Sequence, residues 1–296
     1  MTEPMTLRVR VRAPVADVYD ALTDAQALRV WLAEHAEVDL PNRYEFWGRH
    51  TPEGDAPRQE LLHVDDQTLR FSWRIDDTDT TVEFRVEPDG AQATILTIVH
   101  AGLPTFADMI AGAGKLAVLH TFWALSGANL VDHLEGRPLT PKCDFTSPRM
   151  REEFVIDASA QDVYDSIIDP DAFARWFGAR IDLEPYVGGR WAMGGFHLDP
   201  SPAKILELES GRKLSIAWDD GMTSMTSTWE LAESDGKTTL TFVQSGFDEQ
   251  DPPYDSWMGW LGGFAELRRY HELPNWRPMW LEVSVDGMPE GMLTIE

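Results

Sequence analysis

Alternation of apolar and polar residues opens the chain. Leu7, Val9 and Val11 alternate with Arg8, Arg10 and Arg12, a period of two that predicts a strand with one wet face. A short helix is predicted behind Pro14, entered through Asp17-Val18-Tyr19 and ending near Asp24, and a second one holds Leu28 to Leu32. The two-residue period then returns. Leu69, Phe71, Trp73 and Ile75 alternate with Arg70, Ser72, Arg74 and Asp76, and Val82, Phe84 and Val86 alternate with Glu83, Arg85 and Glu87. Pro88-Asp89-Gly90 reads as a turn into a further strand, Thr94 to Val99. Last, Leu116, Leu119, Trp123, Leu130 and Leu134 fall near helical spacing on one face, which predicts a long amphipathic helix.

The same order occurs twice. Ala13 to Asp24 lies beside Ala158 to Asp169 at a shift of 145, and six of those twelve positions are identical. That shift also carries Trp31 onto Trp176, Leu69 onto Leu214 and Trp73 onto Trp218; with small adjustments Asp89-Gly90 meets Asp235-Gly236 and Gly102 meets Gly246. In the second copy the closing helix holds Trp257, Trp260, Phe264 and Leu267. An internal repeat of this kind sets the organisation of the whole chain. The expected domains are residues 1–137 and 150–272, joined by a proline-rich linker, 138–149, of stiff extended backbone. In the extension 273–296, Leu281, Val283 and Val285 alternate before a turn, so a hairpin is expected that extends a sheet or bridges the copies; a homodimer by strand addition is the rival use.

The class is α+β. A twisted antiparallel sheet with one apolar face must cover that face, and one long helix is the only large element available. A single helix leaves space against six or seven strands, which aromatic side chains fill or which stays open as a cavity.

The Ala-x-x-x-Asp-Val-Tyr-x-x-(Leu/Ile)-x-Asp opening, Trp31 and Trp176, the Leu-x-(Phe/Ile)-x-Trp strands at 69–73 and 214–218, and the terminal Trp-bearing helices resemble the START/Bet v1-like (SRPBCC) superfamily, in the bacterial branch related to the Hsp90-ATPase activator homologues. The resemblance covers nearly the whole chain. It implies two tandem helix-grip domains, each a curved antiparallel sheet wrapped around a long C-terminal helix with two short helices. It further implies a hydrophobic small-molecule ligand, held or carried without a cofactor, and tandem members are similar to proteins of natural-product pathways, including polyketide aromatase/cyclases and proteins tied to enediyne biosynthesis or self-resistance. The copies differ at one element: Gly188-Gly189-Arg190-Trp191 stands in the second where the first has Pro41-Asn42-Arg43-Tyr44. No asparagine- and tryptophan-rich segment like that of the eukaryotic activators is present, which weakens a co-chaperone reading.

Charge narrows the partners. The chain holds 25 Lys+Arg against 50 Asp+Glu, a net charge of −25. Without a basic run in either half, nucleic acid and an anionic membrane surface are disfavoured. One cysteine, Cys143, allows no internal disulfide and fits a reducing cytoplasm. Neither a His-x-x-x-His pair nor a cysteine cluster occurs, so no metal site is expected. A Gly-x-Ser-x-Gly elbow is absent too, and Ala111 to Leu116 lacks the upstream glycine and the Ser/Thr of a phosphate loop.

Candidate site residues remain. His100 and, in the second copy, Gln244 stand in phase with the apolar face as ligand hydrogen-bonding groups; the bland account is a strand-end residue satisfied locally. His120 is the other acid/base candidate, against a helix-surface histidine. Trp73, Trp123, Trp218, Trp229, Trp257, Trp260 and Phe264 are stacking walls or plain core. Met222 and Met225 make a deformable lip or loop filler, and Arg190 with Tyr44 meets a polar ligand end or a surface salt bridge. The leading expectation is a non-catalytic binder of an apolar aromatic molecule. An aromatase/cyclase using His100 or His120 and a protein-interaction module are the alternatives.

Overall fold

A computed structural model describes residues 2–111, 114–219 and 224–295. The first copy runs β1 (Met5–Val11), α1 (Val15–Thr23), α2 (Ala25–Trp31), β2 (His35–Asp39), β3 (Arg43–Trp47), β4 (Gln59–Val64), β5 (Thr68–Ile75), β6 (Thr78–Pro88), β7 (Thr94–Ala101), α3 (Phe106–Ile110) and α4 (Leu119–Leu134). The second runs β8 (Arg151–Ile156), α5 (Ala160–Ile168), α6 (Pro170–Phe177), β9 (Ile181–Leu183), β10 (Arg190–Met193), β11 (Ala203–Glu209), β12 (Lys213–Asp219), β13 (Ser224–Ser234), β14 (Lys237–Ser245) and α7 (Tyr254–Glu272); β15 (Trp280–Ser284) follows. The α+β class, the antiparallel sheets and the duplication are all present.

The repeated sequence landmarks make repeated bonds. Trp31 donates its indole N–H to the Ala21 carbonyl at 2.9 Å, and Trp176 does the same to Ser166 at 2.8 Å, each fixing a second short helix on the first. Thr94 Oγ1 donates to the Ala13 carbonyl at 2.8 Å, and Thr238 Oγ1 to that of Ala158 at 2.7 Å. The Asp24 carboxylate accepts the Gln26 and Ala27 N–H groups and starts α2; Asp169, with Pro170 behind it, starts α6.

By contacts the chain divides into two compact units. The first is Met1–Ser147, Tyr254–Gly262 and Met279–Met288; the second is Pro148–Pro253, Gly263–Pro278 and Pro289–Glu296. The expected linker is therefore not free. Thr140 and Cys143 are buried in the first unit, where Thr140 exchanges bonds with the Asn129 side chain at 2.9 and 3.1 Å. Lys142 Nζ donates to the Arg29 and Ala33 carbonyls at the end of α2.

In the first unit the sheet order is β15-β1-β7-β6-β5-β4. The extension does not form a hairpin of its own: β15 pairs antiparallel with β1, Thr6 opposite Ser284, and adds the outermost strand. Trp280 lies so close to α4 that a Cβ on Gly127 would stand 2.8 Å from its ring. Farther on, Leu293 makes an isolated bridge to Ala179 in the second unit.

The second sheet runs unbroken, β8-β14-β13-β12-β11-β10-β9, whereas β2-β3 stand apart from the first sheet as a pair. The difference falls where the sequences diverge. Gly188 N–H and Gly189 C=O both bond Ile205, which carries the ladder through, and a Cβ on Gly189 would meet the Glu184 carbonyl at 2.3 Å. In the first copy Asn42 closes a tight turn on Asp39, and the join between β3 and β4 relies on the Gln59 side chain, which accepts from Phe46 N–H at 3.2 Å.

Candidate functional site

The inner face of the first sheet is filled with rings. Trp73 is 1% exposed and meets Phe46 at 5.1 Å, Phe122 at 5.5 Å and Trp123 at 5.8 Å, mostly edge to face. Phe71 and Phe84 extend the cluster, so Trp73 and Trp123 are core rather than the walls of an open pocket.

His100 lies inside that cluster, 0% exposed. Trp123 donates its indole N–H to His100 Nδ1 at 2.9 Å, so the ring proton sits on Nε2, which faces Thr80 Oγ1 at 2.8 Å. Thr80 in turn donates to the Trp73 carbonyl at 2.7 Å. Every donor in this relay has an acceptor. Burial pushes the His100 pKa down to about 3, which keeps the ring neutral. Both ring nitrogens, which the acid/base expectation would need, are engaged here in holding strands and helix together.

His120 takes no part in the relay. Its ring is largely buried, Nδ1 has no hydrogen-bond partner, and burial lowers its pKa against the opposing charge of Asp255. The two histidines therefore do not act as a pair. Tyr44, expected near a mouth, is instead sealed at 1% exposure against Phe71 and Phe46. Its hydroxyl has no partner in the protein, and burial raises its pKa. A buried unpaired hydroxyl costs about 1–3 kcal/mol. Tyr44→Phe should therefore raise the urea midpoint of the first unit, by about 1 kcal/mol in stability; a lower midpoint would mean that the hydroxyl is satisfied.

The second unit is arranged differently at matching positions. Gln244 stands where His100 does, paired in register with Ser227, and donates Nε2–H to Ser227 Oγ at 3.1 Å. Trp229 and Phe264 are buried core, each in contact with Phe242, at 5.1 and 5.0 Å. Trp257 and Trp260, on the first turns of α7, are also buried but belong to the first unit. Trp218 is not: it is half-buried, edge-on to Trp191 at 5.8 Å, with half-buried Met225 directly across the strand pair. Met222 lies outside the described residues.

Arg190 has partners within the protein. It is exposed, pairs with Glu184 at 2.8 Å and lies over the Phe196 ring at 4.1 Å, and that pairing pulls the Glu184 carboxyl down to about 2. Tyr44, Phe46 and Trp191 are the aromatic residues that the sequence reading did not weigh as a set. Arg43-Tyr44-Glu45-Phe46 carries the same two-residue period that revealed the other strands. Among the described residues no group of three or more His, Cys, Asp or Glu is placed to hold a metal ion, and no helix is long and apolar enough to cross a membrane.

The family model for "Activator of Hsp90 ATPase homolog 1-like protein" matches residues 12–135 and again 157–272, most of the chain. The protein belongs to this AHSA1-like family. Both matched segments carry the AHSA1-like fold, one after the other. Among solved structures the AHSA1-like chain is similar to DynU16, a protein of the dynemicin biosynthetic locus, at 16% identity over 90% of this chain and 97% of that one, with a TM-score of 0.36. It is similar to CalU16 from Micromonospora echinospora at 24% identity over 40% of this chain and 70% of that one, TM-score 0.34. The Aha1 dimer from Colwellia psychrerythraea gives 16%, 43% of this chain, 98% of that one and 0.38. Among curated proteins no sequence matches.

Proposed function

We propose that the protein holds an apolar, largely aromatic small molecule on the inner face of its second unit, as a binder or carrier and not as a catalyst. Trp218 carries the reading. A large indole on the apolar face of a sheet is normally sealed, as Trp73 is at the equivalent place in the first copy. Trp218 instead is only half-buried, beside Trp191 and a methionine. Phe46, which closes on Trp73, has Met193 as its sequence counterpart, a flexible side chain that adapts to a guest.

Rings of this kind bind flat guests by offset or edge contacts, while burial adds about 25 cal/mol per Å² of apolar surface. A catalytic role through His100 lacks a free ring nitrogen. The polycyclic, polyketide-type molecules implied by the family resemblance are the class to try first. Trp218→Ala should weaken binding of such a ligand about tenfold or more, a loss of about 1.4 kcal/mol, and leave the unfolding transition in place because the ring is only half-buried. Titration by tryptophan quenching against a panel of polycyclic aromatics reads this directly. An affinity unchanged by the substitution would sink the assignment.

A further inference from the structure

We propose a second small-molecule site, in the first unit, for a flat and uncharged aromatic compound. It goes beyond the Trp218 reading and does not depend on it. The loop between β3 and β4, the 3-10 turn Gly114–Leu116 ahead of α4, the segment at 145–146 and the first residue of α7 enclose a cleft of about 390 Å³. That volume sits at the lower end of the roughly 300–1,000 Å³ of small-molecule pockets, room for a guest of about two or three fused rings.

One wall is aromatic: Phe145 and Tyr254 stand 5.0 Å apart at 54°. Pro52 and Val118 add apolar surface. The opposite wall is preformed. Gly48 N–H bonds the Gly54 carbonyl at 2.9 Å and closes the loop on itself, so tightly that a Cβ on Gly54 would stand 1.9 Å from the Gly48 oxygen. Phe145 N–H then ties the aromatic wall to the Arg49 carbonyl at 2.8 Å. Little ordering remains to be done when a guest arrives, which favours affinity.

The charge state of the guest follows from the polar groups that line the cleft, all of which are already engaged. Arg49 is paired with Glu34, Lys115 with Glu53 and Asp55 with Arg58. Thr51 Oγ1 donates to the Gly48 carbonyl, Thr146 Oγ1 to Asp144, and the Tyr254 hydroxyl to the carbonyls of Phe145 and Ser147. A charged guest meets charges that are already balanced within the protein and gains little from them. A neutral ring system needs only the apolar faces.

Equilibrium dialysis of the full chain against 2-naphthol, with 2-naphthoate as its anionic twin, tests the site. In a Trp218→Ala background the cleft is read alone. One saturable equivalent of 2-naphthol is expected there, with 2-naphthoate at least about tenfold weaker. Adding Thr146→Trp, a change at an exposed position that fills the mouth, should weaken 2-naphthol at least about tenfold, and Phe145→Leu should weaken it in the same direction. No saturable uptake in the Trp218→Ala chain, uptake indifferent to Thr146→Trp, or equal binding of the anion overturns the proposal. The Trp218 reading is judged separately, by whether the Thr146→Trp chain keeps a site that Trp218→Ala removes.

Discussion

Trp123→Ala is expected to cost the first unit about 3–5 kcal/mol in urea unfolding. The ring is 0% exposed and stands against Phe122 at 5.0 Å, Phe84 at 5.3 Å and Trp73 at 5.8 Å, so its removal leaves a void between three strands and α4 that they cannot close. It also strips the donor from His100 Nδ1. Trp123→Phe separates these effects. The phenyl keeps most of the packing while His100 is left with an unfilled acceptor, at about 1–3 kcal/mol. A Trp123→Phe chain as stable as the wild type would show that the relay holds nothing together.

Acid should unfold the first unit early, and His100 is the reason. Its folded pKa of about 3 lies well below the value near 6.5 of an unfolded histidine. Between those values the unfolded chain binds a proton that the folded chain refuses. The stability from the neutral ring is thus complete above pH 6.5 and drains as the pH falls toward 3, at about 1.4 kcal/mol per unit. Paired carboxylates such as Glu34 and Asp65, held near 2, add their own losses only below about pH 4. His100→Gln, which installs the residue of the second copy, should flatten the slope between pH 6.5 and 4.5 by about one proton's worth. Equal slopes in the two proteins, measured by urea midpoints across that range, would place the proton elsewhere; His50 and His120, also lowered by burial, are then the groups to replace.

Period and repeat carried the sequence reading a long way. Leu7 to Val11 and Leu69 to Val99 showed their strands because one face is wet and the other dry, and the doubled tryptophans at 31 and 176 turned out to make the same bond. What stayed hidden has a common cause. Alternation at Leu281 and Val283 says that a strand exists and is silent on which edge receives it, since any bare edge offers the same N–H and C=O row. Trp73 and Trp218 are likewise indistinguishable in sequence. One is sealed and the other half open because of neighbours, Phe46 and Phe122 around Trp73, that come from elements far along the chain. The 390 Å³ cleft was invisible for the same reason: it is assembled from a loop, a turn, the intended linker and a helix start.

The pairing of β15 with β1 sets a timetable for the making of this protein. A nascent chain emerges from its N-terminus, so the core rings of the first unit can gather once α4 has been synthesised, yet the strand that closes the sheet is encoded at 280–284. Throughout the interval β1 presents an unpaired edge, the kind of surface on which neighbouring chains aggregate. Arg10 has its partner early, in Asp89 of the same copy at 2.7 Å, whereas Arg8 waits for Glu282, which settles 3.6 Å from it. The Arg8–Glu282 pair thus joins the first strand made to the last.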